Sequence, residues 1–304
     1  MDRDPATTRR PGGTGGLSTS VSPGRDNGGQ ATSTTQRSLL PSLPCDCPHA
    51  LDRKEEAGPI VPLMHYLDLT LAGIAANLAL DEALLIEAEE RGSPPVLRIW
   101  EPDEIAVVLG SSCRWRDDVR VDVCSADGVA LARRTSGGGT VVVGPGTLNL
   151  TVVLPIDAAT GLGAVDVAHR FVLDRLARAL RDGGTAVEVQ GLGDLTVGGR
   201  KFSGSAQRRL RHNFLVHATI LYDFPLEKID RYTSQPRRQP SYRAGRPHGD
   251  FLMNLELPRS ALVEAIRSAW IPPGSTPETP AVPDETVREL VASKFSDPAW
   301  IHRL

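Results

Sequence analysis

The stretch Leu195-Thr-Val-Gly-Gly-Arg-Lys-Phe-Ser203 runs on through Gly-Ser-Ala-Gln-Arg-Arg-Leu-Arg211. It reads as a β-hairpin, because Gly198 and Gly199 supply the pair of positive-φ positions that a tight hairpin turn requires. Lys201 leaves that turn beside Ser203, Gly204, Ser205 and Ala206. A lysine held on a strand among such small residues can reach into a pocket as a point charge. The same residues also suit a surface lysine in a basic hairpin or a nucleic-acid patch. Single-stranded nucleic acid calls for interleaved aromatics, and only Phe202 and Phe214 flank this run. No helix-turn-helix or zinc module accompanies it, so the reading is against nucleic acid.

A second stretch, Arg133-Arg-Thr-Ser-Gly-Gly-Gly-Thr140, falls between two strand-like runs. Gly137, Gly138 and Gly139 present backbone with no Cβ, so N–H groups can approach a ligand closely. Arg133 and Arg134 beside them can pair with carboxylate or phosphate oxygens, and Ser136 and Thr140 bracket the glycines. A plain glycine-rich turn has the same composition. The loop is neither a Walker A loop nor a Rossmann fingerprint, since the required residues do not follow at the right spacing.

Around these stretches the pattern is α+β. A helix capped by Asn77 is expected to run to about residue 90, and a second over residues 165–181 stops at Gly183. Strands are expected at 96–100, 105–109, 129–134, 147–154, 186–189 and 214–222, with helices at 259–269 and 284–294. The sum is a mixed, largely antiparallel central sheet flanked by helices. Residues 1–63 are rich in Gly, Ser, Thr, Pro and Arg and are expected to be a disordered tail. Met64 opens the folded pattern at once, so the native chain is expected to start there; N-terminal sequencing that found earlier residues would overturn this. Cys45 and Cys47 with His49 have no second Cys/His pair nearby and make a weak metal seed.

The 304 residues carry a net charge of −3 and 40% hydrophobic residues. Such a balance has no overall signature of a nucleic-acid or membrane binder. Residues 190–250 differ, with eleven Lys/Arg against five Asp/Glu, which suits a phosphate-bearing ligand or an acidic partner. Four unevenly spaced cysteines make no disulfide framework and imply a reducing, cytoplasmic setting. The most apolar stretch, residues 67–88, is interrupted by Asn77, Asp81 and Glu82 and is a poor membrane span.

Five motifs occur in order: Asn77-Leu-Ala-Leu-Asp-Glu-Ala-Leu84, the 133–140 loop, Gly193-Asp-Leu195, the 199–209 segment, and Leu215-Val-His-Ala-Thr219. Together they resemble the catalytic domain of the lipoate–protein ligase family, a relative of biotin protein ligases and octanoyltransferases. The resemblance covers residues 64 to about 257. It implies a class II aminoacyl-tRNA synthetase-like fold, a catalytic domain over residues 64–258, and a helical extension over 259–304 like a truncated accessory domain. It further implies ATP and Mg2+ as cofactors, lipoate or octanoate as substrate, and an acyl-adenylate passed to a carrier lysine. The implied partner is a lipoyl carrier domain of the 2-oxoacid dehydrogenase E2 or glycine cleavage H protein type, with a separate accessory subunit as a further expectation.

By the same resemblance Lys201 is the catalytic group, Asp194 helps hold the metal, and Arg134, Ser136, Gly137, Gly138, Gly139 and Thr140 line the adenylate pocket. Ser203, Gly204, Ser205 and Ala206 form its other wall, and His217 matches a motif histidine. Gly193 stands where these ligases commonly have Asn, and Ala218 where they have Gly. The biotin-ligase Gly-Arg-Gly-Arg-x-Gly-Arg loop is absent. Transferase relatives carry the acyl group on a cysteine, but here no cysteine follows Cys124, and Cys113 lies after Gly110-Ser-Ser. This favours the ligase over an octanoyl or lipoyl transferase acting on a preformed acyl donor; a non-catalytic lipoate- or adenylate-binding homologue on the same fold stays a further alternative. Arg237, Arg238, Arg243 and Arg246 in a loop near residues 239–248 are expected either to dock an acidic carrier by long-range attraction or simply to be solvated.

Overall fold

The computed structural model describes residues 64–156 and 161–304. The tail and its Cys45, Cys47 and His49 lie outside the described residues. In chain order the elements are β1 (His65–Asp68), α1 (Ile74–Arg91), β2 (Val96–Trp100), β3 (Ala106–Leu109), α2 (Trp115–Asp118), α3 (Val121–Ala126), β4 (Ala130–Arg133), β5 (Val141–Val143), β6 (Thr147–Pro155) and α4 (Val165–Asp182). There follow β7 (Glu188–Gln190), β8 (Asp194–Val197), β9 (Arg200–Arg209), β10 (Asn213–Leu221), α5 (Glu227–Tyr232), α6 (His248–Phe251), α7 (Arg259–Trp270), α8 (Asp284–Leu290) and α9 (Pro298–Ile301). The helix expected over 284–294 divides into α8 and a π-helical turn, Val291–Phe295.

Seven strands form the main sheet in the order β1-β2-β6-β10-β9-β8-β7, and β4-β3-β5 form a second, three-stranded sheet. Pairing is antiparallel except at β1–β2 and β3–β4. Strands β6 and β10 are largely buried because both faces are covered; the face toward α4 and α7 is apolar, while Asn149, Thr151, His217 and Thr219 lie on the α1 face. On one face Leu150, Val152, Val216 and Ala218 pack with Val172 and Leu176 of α4 and Leu262 and Ile266 of α7. On the other, Val96, Val153 and Leu215 pack with Leu80, Ala83 and Leu84 of α1. Gly198 and Gly199 have φ of 56° and 73°, as the hairpin turn demands.

Two expectations about helix ends need correction. Helix α1 starts at Ile74 after Gly73, so Asn77 is not its N-cap. The Asn77 side chain is buried and ties down the incoming loop instead, donating to Leu71 O at 2.7 Å and Gly73 O at 2.9 Å and accepting from Leu71 N. Helix α4 does end at Gly183, but with φ −77°; the left-handed residue is Gly184, one position later.

Helix α1 is locked to β2 by an ion pair that is almost wholly dry. Arg98 Nη1 lies 2.5 Å from Asp81 Oδ1, with the side chains 0% and 5% exposed. The other guanidinium donors reach Leu69 O, Asn77 O and Asn77 Oδ1. Burial raises the Asp81 carboxyl, but Arg98 and His217 outweigh it and hold it below the ordinary carboxylate range. Removing one partner of such a pair leaves an uncompensated buried charge. Asp81→Asn is therefore expected to lower unfolding free energy by about 3–5 kcal/mol, read from chemical denaturation. Because the folded pKa of Asp81 lies below its unfolded value, its stabilisation is complete above about pH 4 and is lost as the pH falls further.

Candidate active site

The register of the main sheet sorts the candidate residues by face, since residues directly opposite on paired strands share a face. One row runs Trp100, Asn149, Thr219, Gly204 and Asp194 across β2, β6, β10, β9 and β8. The next runs Arg98, Thr151, His217 and Ala206. Both lie on the α1 side of the sheet. Ser203 opposes Ile220 and Leu195, and Ser205 opposes Ala218; these partners belong to the α4–α7 core. Gly204 and Ala206 therefore face the candidate pocket, whereas Ser203 and Ser205 face away from it.

Strict alternation would place Lys201 with Ser203 on the core side. A β-bulge prevents this: Leu195 pairs with Ser203, but the next residue, Thr196, pairs with Lys201, leaving Phe202 as the extra residue. Phe202 goes into the core beside Ser203, and Lys201 turns to the face of Asp194 and Gly204. There Lys201 Nζ sits 2.7 Å from Asp194 Oδ1. The lysine lies across Gly204, where a Cβ would come within 2.8 Å of Nζ and 3.0 Å of Cε. Glycine at 204 is thus the floor on which the lysine rests.

The 133–140 loop folds over the same face. A Cβ on Gly138 would lie 3.6 Å from Ala206 Cβ, so the two Gly-rich segments meet there. Arg134 is buried beneath the loop and does not project from it. Its guanidinium donates to Gly137 O and Gly139 O, both at 2.7 Å, to Val108 O and to Ser136 Oγ. All four partners are neutral, and burial pushes the guanidinium down to about 10, still charged at neutral pH. Arg133 points the other way, donating to Gly110 O, Cys113 O and Ile301 O, while its own carbonyl accepts from Trp300 Nε1. Residues 298–301 are thereby fastened behind the loop.

His217 joins the loop to α1. Its Nε2 is 2.5 Å from Ser136 Oγ and its Nδ1 is 3.6 Å from Asp81 Oδ2. Ser136 Oγ also accepts from Arg134 Nε, so this hydroxyl links the His217 ring to the buried guanidinium. Thr140, at the far end of the loop, donates to Asp118 Oδ2 at 3.4 Å.

Several site residues carried no signal in the sequence. Ser205 Oγ donates to Gly193 O at 2.7 Å and sits 2.8 Å from His169 Nε2, so α4 steadies the turn before Asp194. Burial holds the His169 ring below the usual histidine range. The same contacts explain Gly193: a Cβ there would come within 2.8 Å of Ser205 Oγ, 3.0 Å of Ser205 O and 3.2 Å of His169 Cε1. Tyr242 OH donates to Asp194 Oδ2 at 2.7 Å. Of the four loop arginines expected at a docking surface, Arg243 is buried and Arg246 donates to Gly199 O and Tyr242 O. Arg237 and Arg238 remain exposed, with Arg237 paired to Asp117 at 3.0 Å.

Cys113 and Cys124 are buried free thiols. Cys113 Sγ donates to Gly138 O at 3.4 Å, beside the glycine loop. Burial raises the Cys124 thiol. Among the described residues no group of three His, Cys, Asp or Glu is placed to hold a metal ion, and no helix is long and apolar enough to cross a membrane.

The fold, a mixed sheet covered by helices, is similar to that of solved lipoate ligases. One is a bi-partite lipoate protein ligase from Thermoplasma acidophilum (TM-score 0.67, 22% identity, 79% of this chain and 96% of that one). Another is a lipoate-protein ligase A bound with ATP (TM-score 0.67, 23% identity, 80% and 100%). The family model of the lipoyl protein ligase A/B catalytic domain matches residues 73–267, and the chain belongs to that family. Its relatives include the lipoate-protein ligase A of Psychrobacter cryohalolentis (32% identical over 136 residues, 45% of this chain and 38% of that protein). They also include the octanoyltransferase LipM of Kyrpidia tusciae (28% over 265 residues, 75% and 94%). The chain spans about half the length of the first curated ligases it matches.

The close packing at Gly204 is testable. Gly204→Ala is expected to shift unfolding free energy by no more than about 1 kcal/mol, since the clashing atoms are the mobile end of a side chain. A crystal structure of the variant should show the Lys201 ammonium displaced from Asp194.

Proposed function

We propose that this chain is a lipoate–protein ligase that activates lipoate or octanoate with ATP and passes the acyl group to a lysine of a lipoyl carrier domain. The observation that carries this reading is the Lys201 ammonium, held by Asp194 over the bare backbone of Gly204 and facing the Gly137–Gly139 loop. In the first step the acid's carboxylate attacks the α-phosphorus of ATP, pyrophosphate leaves, and an acyl-adenylate forms. In the second, the carrier's amine attacks the acyl carbonyl and AMP leaves. Negative charge develops on phosphate oxygens in one step and on the carbonyl oxygen in the other. On this reading the Lys201 ammonium and the bare backbone of the glycine loop supply electrostatic stabilisation to that charge. Arg134 adds a buried positive charge matched only by neutral dipoles, which favours an anion above the loop.

Asp194 fits a nucleotide-borne Mg2+. It offers one carboxylate whose oxygens each keep a lone pair beyond a single hydrogen-bonded partner, and Mg2+ is usually bound through one or two carboxylates together with substrate phosphates. The ion would neutralise charge on those phosphates. For the carrier, an E2-type lipoyl domain or an H-protein-type domain is the proposed acceptor. The bi-partite ligase of the same fold supports a separate accessory subunit as a further partner.

A second reading, an octanoyltransferase using a cysteine thioester, is favoured by the match over nearly the whole length of the K. tusciae LipM. Against it, the two described thiols are buried, and Cys113 already donates to the glycine loop.

Lipoate-dependent ATP–pyrophosphate exchange separates the two. The parent chain is expected to catalyse exchange, and Lys201→Ala to lower it about 10²–10³-fold. Cys113→Ala should retain it. Absence of exchange in the parent, with a cysteine thioester found by mass spectrometry after incubation with acyl carrier, would replace the ligase by the transferase.

A further inference from the structure

The reaction does not use the loop of residues 239–248 singled out in the sequence, which runs on through α6 to Leu252. It is strapped to the Lys201 hairpin at several points. Arg246 donates to Gly199 O and Arg200 to Leu252 O, Met253 N donates to Lys201 O, and Lys201 forms a parallel bridge with Leu252. Inside the loop Arg243 Nε donates to Arg246 O and Arg246 Nε to Arg243 O, with both guanidinium groups over the Phe251 ring. Ala244, between them, has φ +50° and is the single non-glycine residue with positive φ among those described. An alanine in that region is strained and persists only where its surroundings over-determine it.

This strained, cross-braced turn delivers one side chain to the active site. Tyr242 stacks on Phe251 at 5.3 Å and donates its hydroxyl proton to Asp194 Oδ2 at 2.7 Å. Asp194 Oδ1 faces Lys201 Nζ. An aspartate at a strand end, just beyond the Gly191–Gly193 turn, can exchange χ1 rotamers and turn its carboxylate about a broad terminal torsion unless its oxygens are held.

We propose that Tyr242 is a positioning residue: its hydroxyl fixes one oxygen of Asp194 so that the other holds the Lys201 ammonium over Gly204. The 239–252 loop is then a brace for the reacting lysine and not a docking surface. The proposal rests on the reading of Lys201 given above, but its decisive test does not need turnover. In the full chain carrying lysine labelled with ¹⁵N at Nζ, a held ammonium gives a sharp signal at a fixed pH. That signal of Lys201 should be present in the parent, absent in Lys201→Ala as its assignment control, and lost in Tyr242→Phe with an unchanged melting temperature. A signal unchanged in Tyr242→Phe overturns the proposal, whether or not the chain proves to be a ligase.

Turnover supplies a second arm. Removing one hydrogen bond to a charged group should lower kcat about tenfold to a hundredfold, with KM for acid and ATP within about threefold. Asp194→Asn should lower kcat as well, and Tyr242→Phe combined with it should be no slower than Asp194→Asn alone, because the hydroxyl acts only through that carboxylate. Multiplied losses in the double variant would show that Tyr242 acts elsewhere and would overturn the assignment.

Discussion

The Arg98–Asp81 pair is the constraint from which the rest of the site follows. A guanidinium buried on a sheet face is tolerable only with every donor met, and meeting them draws together β2, α1 and the loop before α1. Once Asp81 is fixed, its second oxygen faces His217 on β10. His217 in turn bonds Ser136, and Arg134 ties Ser136 to the carbonyls of the glycine loop. A chain of polar contacts thus runs from the first helix to the loop that covers the pocket, through residues 77 to 217. Each link is short-ranged, and together they place flexible glycine backbone at one height above the sheet.

The two arginines of the loop divide their work. Arg134 organises the loop from below, so its charge reaches the pocket through the loop and not by projecting into it. Arg133 reaches backward and joins the loop's supporting segment, residues 110–113, to the end of the chain at Ile301. On the opposite wall, Asp194 and Lys201 hold each other, with the Gly193 turn, Ser205, His169 and Tyr242 holding Asp194. The residues that orient Asp194, Lys201 and the glycine loop come from α1, α4, β10 and the segment after residue 239.

Much of this was legible from residue order. The glycine pair at 198–199 announced its turn, the alternating and apolar runs announced their strands, and Gly137–Gly139 announced bare backbone. Helix α1 was legible as a helix, but Asn77 was not legible as a clamp: its type favours a cap, and only the neighbouring Leu71 and Arg98 show that its amide is occupied elsewhere. The arginines of the 239–248 loop read as free charge because sequence shows charge and not its partners; in the fold Arg243 and Arg246 are hydrogen-bonded into their own turn. His169 and Tyr242 were invisible because sequence separations of 36 and 48 from their partners leave no periodic signal.

What the sequence by itself determined is the inventory: an α+β chain, a bare glycine loop next to arginines, and a lysine on a hairpin beside small residues. Those follow from local rules, the φ freedom of glycine and the period of apolar side chains. Which face each residue takes was decided by tertiary structure alone. The bulge at Phe202 turns Lys201 out of the core and onto the face of Asp194, while leaving Ser203 and Ser205 on the other side. Alternation predicts the opposite for Lys201, because a one-residue slip in a strand inverts every side chain beyond it. The slip is held by packing of Phe202 into the core against residues far along the chain, and that is information no local stretch contains.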